Sequence, residues 1–166
     1  MTFSGVIDEA LDATIDDISR GRFAPESEHD LQAMVYFHSR RLAALKGLAD
    51  NRIHAEPPRT ARGVKTEHPD LVLGDNEVFL QLKFIRSGAT GEQMKVRHWV
   101  DDIESLKGFK AKWSSSRCIF FAIDEVHNHS NPRSKNYFEP SGNGLRGEWR
   151  PLIARARVLC ADLEAL

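Results

Sequence analysis

The chain has 166 residues, of which 41% are hydrophobic and 28% are charged, and its net charge is −1. This composition is typical of a folded domain with a hydrophobic core, and the length suggests one domain, residues 1–166. The near-neutral charge excludes a protein that coats nucleic acid by bulk electrostatics, but not an enzyme with a local basic rim.

Several features predict a cytoplasmic protein. No stretch approaches about 18 consecutive apolar residues, so we expect no membrane span. The acidic N-terminal segment is unlike a signal peptide. The two cysteines, Cys118 and Cys160, lack metal-type spacing and are expected to be buried thiols, one in a strand and one in a helix.

Two amphipathic helices are predicted in the first part of the chain. Apolar residues recur at helical spacing from Val6 to Ile18, which predicts an N-terminal helix within residues 1–25. Ser27 is expected to cap a second helix over 28–48, with Asp30 in the capping-box position.

Short strands are expected next. Residues 51–56 predict a first strand, and residues 59–67 a basic loop. Two apolar runs within 69–85, separated by Gly74-Asp75-Asn76, predict a β-hairpin.

The second run of this hairpin contains two polar residues. Because side chains alternate along a strand, Gln81 and Lys83 lie on one face together with Phe79 and Ile85. Polar groups in a buried strand are costly unless they are paired. Asp70, at the start of the neighbouring strand, is the nearest candidate partner.

The remaining elements complete an α/β pattern. A helix over 92–112 is expected to connect the hairpin to a buried strand at 118–123, as the crossover of a right-handed βαβ unit. The polar loop 125–149 is either functional or disordered. A final helix is predicted from near Pro151, with an apolar stripe of Leu152, Ala156, Leu159 and Leu163.

The order α-α-β-β-β-α-β-α therefore predicts an α/β fold in a single domain. We expect a central mixed sheet of about four strands with helices on both faces. The core would occupy residues 26–124, with the N-terminal helix before it and residues 125–166 after it as polar loop and helix.

This order and these residues resemble the PD-(D/E)XK nuclease superfamily, with its restriction-endonuclease-like α-β-β-β-α-β core. Pro69-Asp70 matches the "PD" of the motif, and Gln81-Leu82-Lys83 stands where the family has an acid-x-Lys on the third strand. Glu28 matches the acid of the first core helix. The resemblance covers residues 26–124 and departs from the family pattern at Gln81.

The resemblance implies a metal-dependent nuclease that hydrolyses DNA phosphodiester bonds. Asp70 and Gln81 would bind Mg²⁺ or Mn²⁺ with help from Glu28, and Lys83 would be the catalytic lysine. Since an amide offers only a neutral oxygen, Gln81 weakens metal binding relative to an acid. Phosphate contacts are expected from the basic loop, through Arg59, Arg62 and Lys65, which are equally typical of a solvated loop. DNA targeting would use a homodimer or a protein partner.

Each of these residues also has a structural interpretation that the sequence leaves open. Asp70 is also typical of a turn before a strand, and Gln81 and Lys83 of a solvated edge. Glu28 is also typical of a first helical turn, where the helix dipole favours acids. Glu26 is an alternative to it, and Glu56 a further candidate acid.

Two other functions stay open. A Gln in place of the strand acid favours a catalytically inactive nuclease-like module, used for nucleic-acid binding or assembly in a bacterial defence or mobile-element system. The other is a protein-interaction domain unrelated to nucleic acid, expected to expose an apolar patch near Trp113 or Trp149.

Overall fold

The computed structural model describes residues 2–56, 68–86, 88 and 96–164. Within these ranges the chain forms three α-helices and one seven-stranded sheet. The helices are α1 (Phe3–Ser19), α2 (Glu28–Leu45) and α3 (Val96–Lys112). The strands are β1 (Ile53–Ala55), β2 (Leu71–Leu73), β3 (Val78–Ile85), β4 (Arg117–Asp124), β5 (Leu145–Arg146), β6 (Arg150–Pro151) and β7 (Arg157–Leu163).

The second helix begins and ends at the signals that its sequence carries. The Ser27 hydroxyl oxygen accepts a hydrogen bond of 3.1 Å from the Asp30 N–H, so Ser27 is the predicted N-cap. The helix ends at Leu45, three residues before the predicted end at 48. Gly47, at φ 67°, adopts the left-handed conformation that follows many helix ends.

The sheet has the order β1-β2-β3-β4-β7-β5, and β6 also pairs with β7. The β3–β4 pair is parallel, with α3 as its connection, and the other pairs are antiparallel. The prediction of a mixed α/β fold is therefore confirmed. The prediction of about four strands is wrong, because the chain beyond β4 adds three more.

The predicted helix from Pro151 is wrong. Pro151 belongs to the short strand β6, and Arg157–Leu163 forms β7 between β4 and the β5–β6 edge. Leu159 and Leu163 fit helical spacing, but Val158 and Ala161 are buried as well. A short segment that is apolar on both faces buries more of its surface in a sheet interior than one helix face could.

Helices cover both faces of the sheet, as predicted. On one face, α1 and α2 pack against Leu80, Leu82 and their neighbours. On the other face, α3 packs against Phe79 and Ile85. The alternation predicted for β3 therefore holds, and Gln81 and Lys83 belong to the face that α3 covers.

A buried aspartate at the end of β4 organises the loop that follows. Asp124 is fully buried, and its two carboxylate oxygens accept hydrogen bonds from the Val126 N–H (3.2 Å) and from the N–H and hydroxyl of Ser130 (2.9 Å each). His129 is also buried, with its ring centroid 4.6 Å from that of Trp99. The start of the polar loop is therefore fixed to the core.

Both cysteines are unpaired thiols in strands. Cys118 is buried in β4 as predicted, whereas Cys160 is half-buried, and it lies in β7 and not in a helix. Burial raises the pKa of Cys118 to about 12 and that of Cys160 to about 11, so neither is activated as a nucleophile. None of the helices in the described ranges has the length and apolarity needed to cross a membrane.

We expect Asp124→Ala to lower the free energy of unfolding by about 3 kcal/mol, because it leaves buried donors of the loop without their charged acceptor. Urea denaturation followed by tryptophan fluorescence measures this loss. Asp12→Ala, at an exposed position of α1, is the control and should change stability by less than about 0.5 kcal/mol. Equal effects of the two substitutions would contradict the anchoring role of Asp124.

Candidate active site

Lys83 lies at the centre of a charged cluster that joins both helical layers. Its ammonium is 3.2 Å from a Glu28 carboxylate oxygen on α2 and 2.9 Å from an Asp102 carboxylate oxygen on α3. Only 15% of the Lys83 side chain is exposed. Burial alone lowers the pKa of Lys83, but the charges of Asp102 and Glu28 outweigh burial and raise it above its usual value. Lys83 is therefore an ammonium at neutral pH.

Asp70 reaches the same cluster from the start of β2. The antiparallel register pairs Leu71 with Leu80, which brings Asp70 beside the middle of β3. One Asp70 carboxylate oxygen accepts a hydrogen bond of 2.6 Å from the Leu82 N–H. The Gln32 amide donates to the Asp70 carbonyl oxygen at 2.8 Å, which fixes this turn against α2.

The electrostatic environment of Asp70 disfavours its ionised form. Burial raises its pKa, the Leu82 N–H and Lys83 lower it, and the charges of Glu28 and Asp102 raise it again. The result is a pKa of about 7 in place of 3.8. The cluster thus combines three carboxyl groups with one ammonium, and it holds more negative charge than Lys83 can balance.

Gln81 is 8% exposed and lines a pocket of about 340 Å³ beside the cluster. The pocket lies between the turn before β2 and one side of α3. Its lining residues are His68, Pro69, Gln81, Asp101, Asp102, Ser105 and Phe109. Gln81 and Asp102 therefore face a common space that is large enough for a small polar ligand.

The structure brings together Glu28, Asp70 and Lys83, as predicted, and places Gln81 next to them. It does not bring in Glu26, which is exposed and donates its backbone N–H to Asp30 at 3.0 Å. The side chain of Glu56 is 52% exposed, and its carboxylate lies 3.9 Å from the His29 imidazole.

Three predicted phosphate-binding residues fall outside the described ranges: Arg59, Arg62 and Lys65. The predicted role of this basic loop therefore stays a prediction. His68, at the end of that loop, lines the pocket, and its ring Nδ1 lies 3.1 Å from the Glu56 carbonyl oxygen.

Asp102 is the site residue that the sequence analysis missed. It stands on α3 three positions after Trp99 and four before Leu106, which are both buried. This spacing puts a carboxylate on the margin of the buried stripe, where an acid needs a partner. An acid at that position, opposite a strand lysine, was the available signal.

The oxygen atoms of this site are of the kind that could hold a hard divalent cation. Among the described residues, no three His, Cys, Asp or Glu side chains are grouped as a complete metal cage. Mg²⁺ does not need such a cage, since one or two carboxylates, water and substrate phosphate commonly complete its octahedral shell. Oxygen donors from Asp70, Gln81 and Asp102, in a cluster with excess negative charge, match that preference.

We expect Asp70→Asn to stabilise the protein at pH 8 by about 2–4 kcal/mol and to have no such effect near pH 4. The pKa of Asp70 is raised to about 7 on folding. Between the unfolded and folded pKa values, the unfolded chain therefore releases a proton that the folded chain keeps, so stability falls as pH rises. Asparagine keeps an acceptor for the Leu82 N–H but does not titrate.

Urea unfolding of the wild type and of Asp70→Asn from pH 4 to 8.5 gives the free energy of unfolding of each protein. The difference between the two at each pH cancels the contributions of the groups that they share. A difference that stays constant across this range would show that Asp70 titrates normally in the folded state.

The chain gives no match to known proteins: no family model matches it, and neither a curated protein nor a solved structure gives a significant match. The chemistry of the cluster must therefore carry any functional conclusion.

Proposed function

We propose that the protein is a metal-dependent nuclease of the PD-(D/E)XK type that hydrolyses DNA phosphodiester bonds. The observation that carries this proposal is the convergence of Asp70, Lys83 and Glu28, from three separate elements, on one cluster beside the Gln81 pocket. These are the positions that the motif resemblance named.

The arrangement of elements supports the proposal. The succession α2-β1-β2-β3-α3-β4 is the α-β-β-β-α-β order that the resemblance implies. The first four strands lie in the order β1-β2-β3-β4, with β3 and β4 parallel. The acid at the start of the second strand and the lysine on the third then meet because of the β2–β3 register.

The proposed reaction is attack of a water oxygen on phosphorus. The bond from phosphorus to one sugar oxygen breaks, and that oxygen takes up a proton. When bound, Mg²⁺ or Mn²⁺ would polarise the phosphate and lower the pKa of the attacking water. The donors on this chain would be the Asp70 carboxylate and the Gln81 amide oxygen, with Glu28 at the margin of the site.

Lys83 would stabilise the charge that develops on the phosphate. Because Asp102 and Glu28 raise the pKa of Lys83, its Nζ holds its proton and is not a base for water. An ammonium held in place by two carboxylates is a preorganised donor to a phosphate oxygen.

Asp102 would supply the negative charge that Gln81 lacks. In the family pattern the third strand carries an acid two residues before the lysine, and this chain has an amide there. Asp102 faces the same pocket from α3 and lies 2.9 Å from Lys83. We therefore include the Asp102 carboxylate in the proposed metal site.

One observation favours the alternative of an inactive nuclease-like module. Lys83 already forms ion pairs with both Glu28 and Asp102, so its ammonium has its counter-charges without a metal. A purely structural cluster of this kind would hold α2 and α3 on the sheet. The third function is less well supported, because Trp113 and Trp149 are half-buried against the core.

We expect cleavage of supercoiled plasmid or of labelled oligonucleotides in Mg²⁺ or Mn²⁺, and its loss by at least about 100-fold in Lys83→Ala and in Asp70→Asn. Lys107→Ala is the matched control, because Lys107 is on α3 and pairs with Glu104 away from the cluster. Divalent ions should also raise the melting temperature of the wild type. Absence of both cleavage and stabilisation would favour the inactive module.

The role of Asp102 predicts a compensating pair of substitutions. We expect Asp102→Asn to weaken Mn²⁺ binding about tenfold or more, and Gln81→Glu in the same chain to restore it, because a strand carboxylate replaces the helix carboxylate. Isothermal titration with Mn²⁺ measures both effects without any substrate.

Glu104→Gln, on the exposed side of α3, removes the same charge and should leave Mn²⁺ binding unchanged. Unchanged Mn²⁺ binding by a folded Asp102→Asn variant would remove Asp102 from the proposed metal site, and failure of Gln81→Glu to restore weakened binding would show that position 81 cannot replace it.

A further inference from the structure

The β6–β7 hairpin presents a turn of defined shape at one end of the sheet. β6 pairs with the first two residues of β7. The turn is closed by backbone hydrogen bonds from the Leu152 N–H to the Ala156 oxygen (3.1 Å) and from the Ala156 N–H to the Ile153 oxygen (2.8 Å). Leu152 packs against the α1–α2 core, so the hairpin is anchored at its base.

The hairpin is basic. The buried Asp124 stands opposite Arg157 in the strand register, whereas Arg150 stands opposite Val158. Residues 150–157 contain Arg150, Arg155 and Arg157 and no acidic residue. Arg150 and Arg155 are exposed, and Arg157 donates to the backbone oxygens of Arg155 and Ala156. Within the described residues none of the three forms an ion pair, whereas Arg20 and Arg40 each pair with an aspartate. The positive charges of the exposed Arg150 and Arg155 are therefore available to a partner.

The hairpin lies at the same end of the strands as the proposed active site, which is the carboxyl end of β3 and β4. Lys83 pairs with Ala122 of β4, which pairs with Leu159 of β7. Two strand spacings separate Lys83 from Leu159, or about 10 Å. Arg157 is two residues further toward the hairpin and shares the Leu159 face of the sheet, which is the face of Lys83. Arg150 pairs with Val158 and so lies on the other face, which places the arginines of the hairpin on both sides of this end of the sheet.

We propose that the β6–β7 hairpin binds the phosphate backbone of duplex DNA and holds it across the cluster around Lys83. The choice of partner rests on the proposed function, since the hairpin stands beside a site suited to phosphodiester chemistry. Guanidinium groups bind phosphate oxygens through paired N–H donors, and a fixed turn loses little entropy on binding.

The exposed residue at the tip of the hairpin, Ile153, raises the alternative that the hairpin binds a membrane. Ile153 is 47% exposed between Pro151 and Arg155, and a basic turn with an apolar tip could also bind an anionic membrane. A single apolar side chain gives a weak membrane anchor, whereas arginines alone suffice for contacts to the DNA backbone. DNA is therefore the partner that the hairpin chemistry favours.

The test is binding of a fluorescein-labelled 20-base-pair duplex, measured by anisotropy in EDTA so that no cleavage occurs. We expect the double variant Arg150→Ala/Arg155→Ala to bind about tenfold more weakly near 0.1 M salt, with a salt dependence smaller by about two ions. The control Arg20→Ala/Arg40→Ala removes the same charge at ion-paired sites and should bind like the wild type.

Equal binding by wild type and double variant would overturn the role of the hairpin and leave the proposed nuclease function untouched. Absence of duplex binding by the wild type, or binding of the hairpin only to vesicles of anionic phospholipid, would also overturn it. Weaker binding by the double variant in a protein that shows no divalent-dependent cleavage would support the hairpin and count against the nuclease.

Discussion

The ammonium of Lys83 is the group on which the rest of this arrangement depends. It stands on an interior strand, where a charge is tolerated only if opposite charges accompany it. Those charges come from α2 on one side of the sheet and from α3 on the other. Both helical layers must therefore dock in one position. A slip of one residue in β3 would turn Lys83 into the core that α1 and α2 cover.

The cluster around Lys83 contains more acidic groups than its single ammonium can neutralise. Three carboxyl groups act on one ammonium: Glu28 and Asp102 pair with Lys83, and Asp70, whose pKa is raised mainly by burial, is the third. A purely structural ion pair would be more stable with one acid fewer. The excess is better explained by a cation that joins the site in its working state, which is why we favour a metal-dependent enzyme over a structural cluster.

The parts of the fold that could be predicted from the sequence are those with a local signal. Ser27 marks the start of α2, and the alternation from Phe79 to Ile85 places Gln81 and Lys83 on one face. Asp70 and Glu28 were identified through the motif, and both contact or act on Lys83 in the structure. Asp102 was missed because its place beside the buried stripe of α3 indicates only that it needs a partner, and that partner, Lys83, is about twenty residues away in sequence.

The C-terminal strand was predicted as a helix because its apolar residues fit both periods, and only its pairing with β4 decides between them. No property of residues 157–163 alone carries that information. The same pairing also bears on how the chain folds. β4 is apolar along almost its whole length, and its partner on one side, β7, arrives only after the intervening loop and hairpin have been built. Until then β4 has an open edge that can accept a strand from another molecule, so its pairing with β7 also protects the folding chain from aggregation.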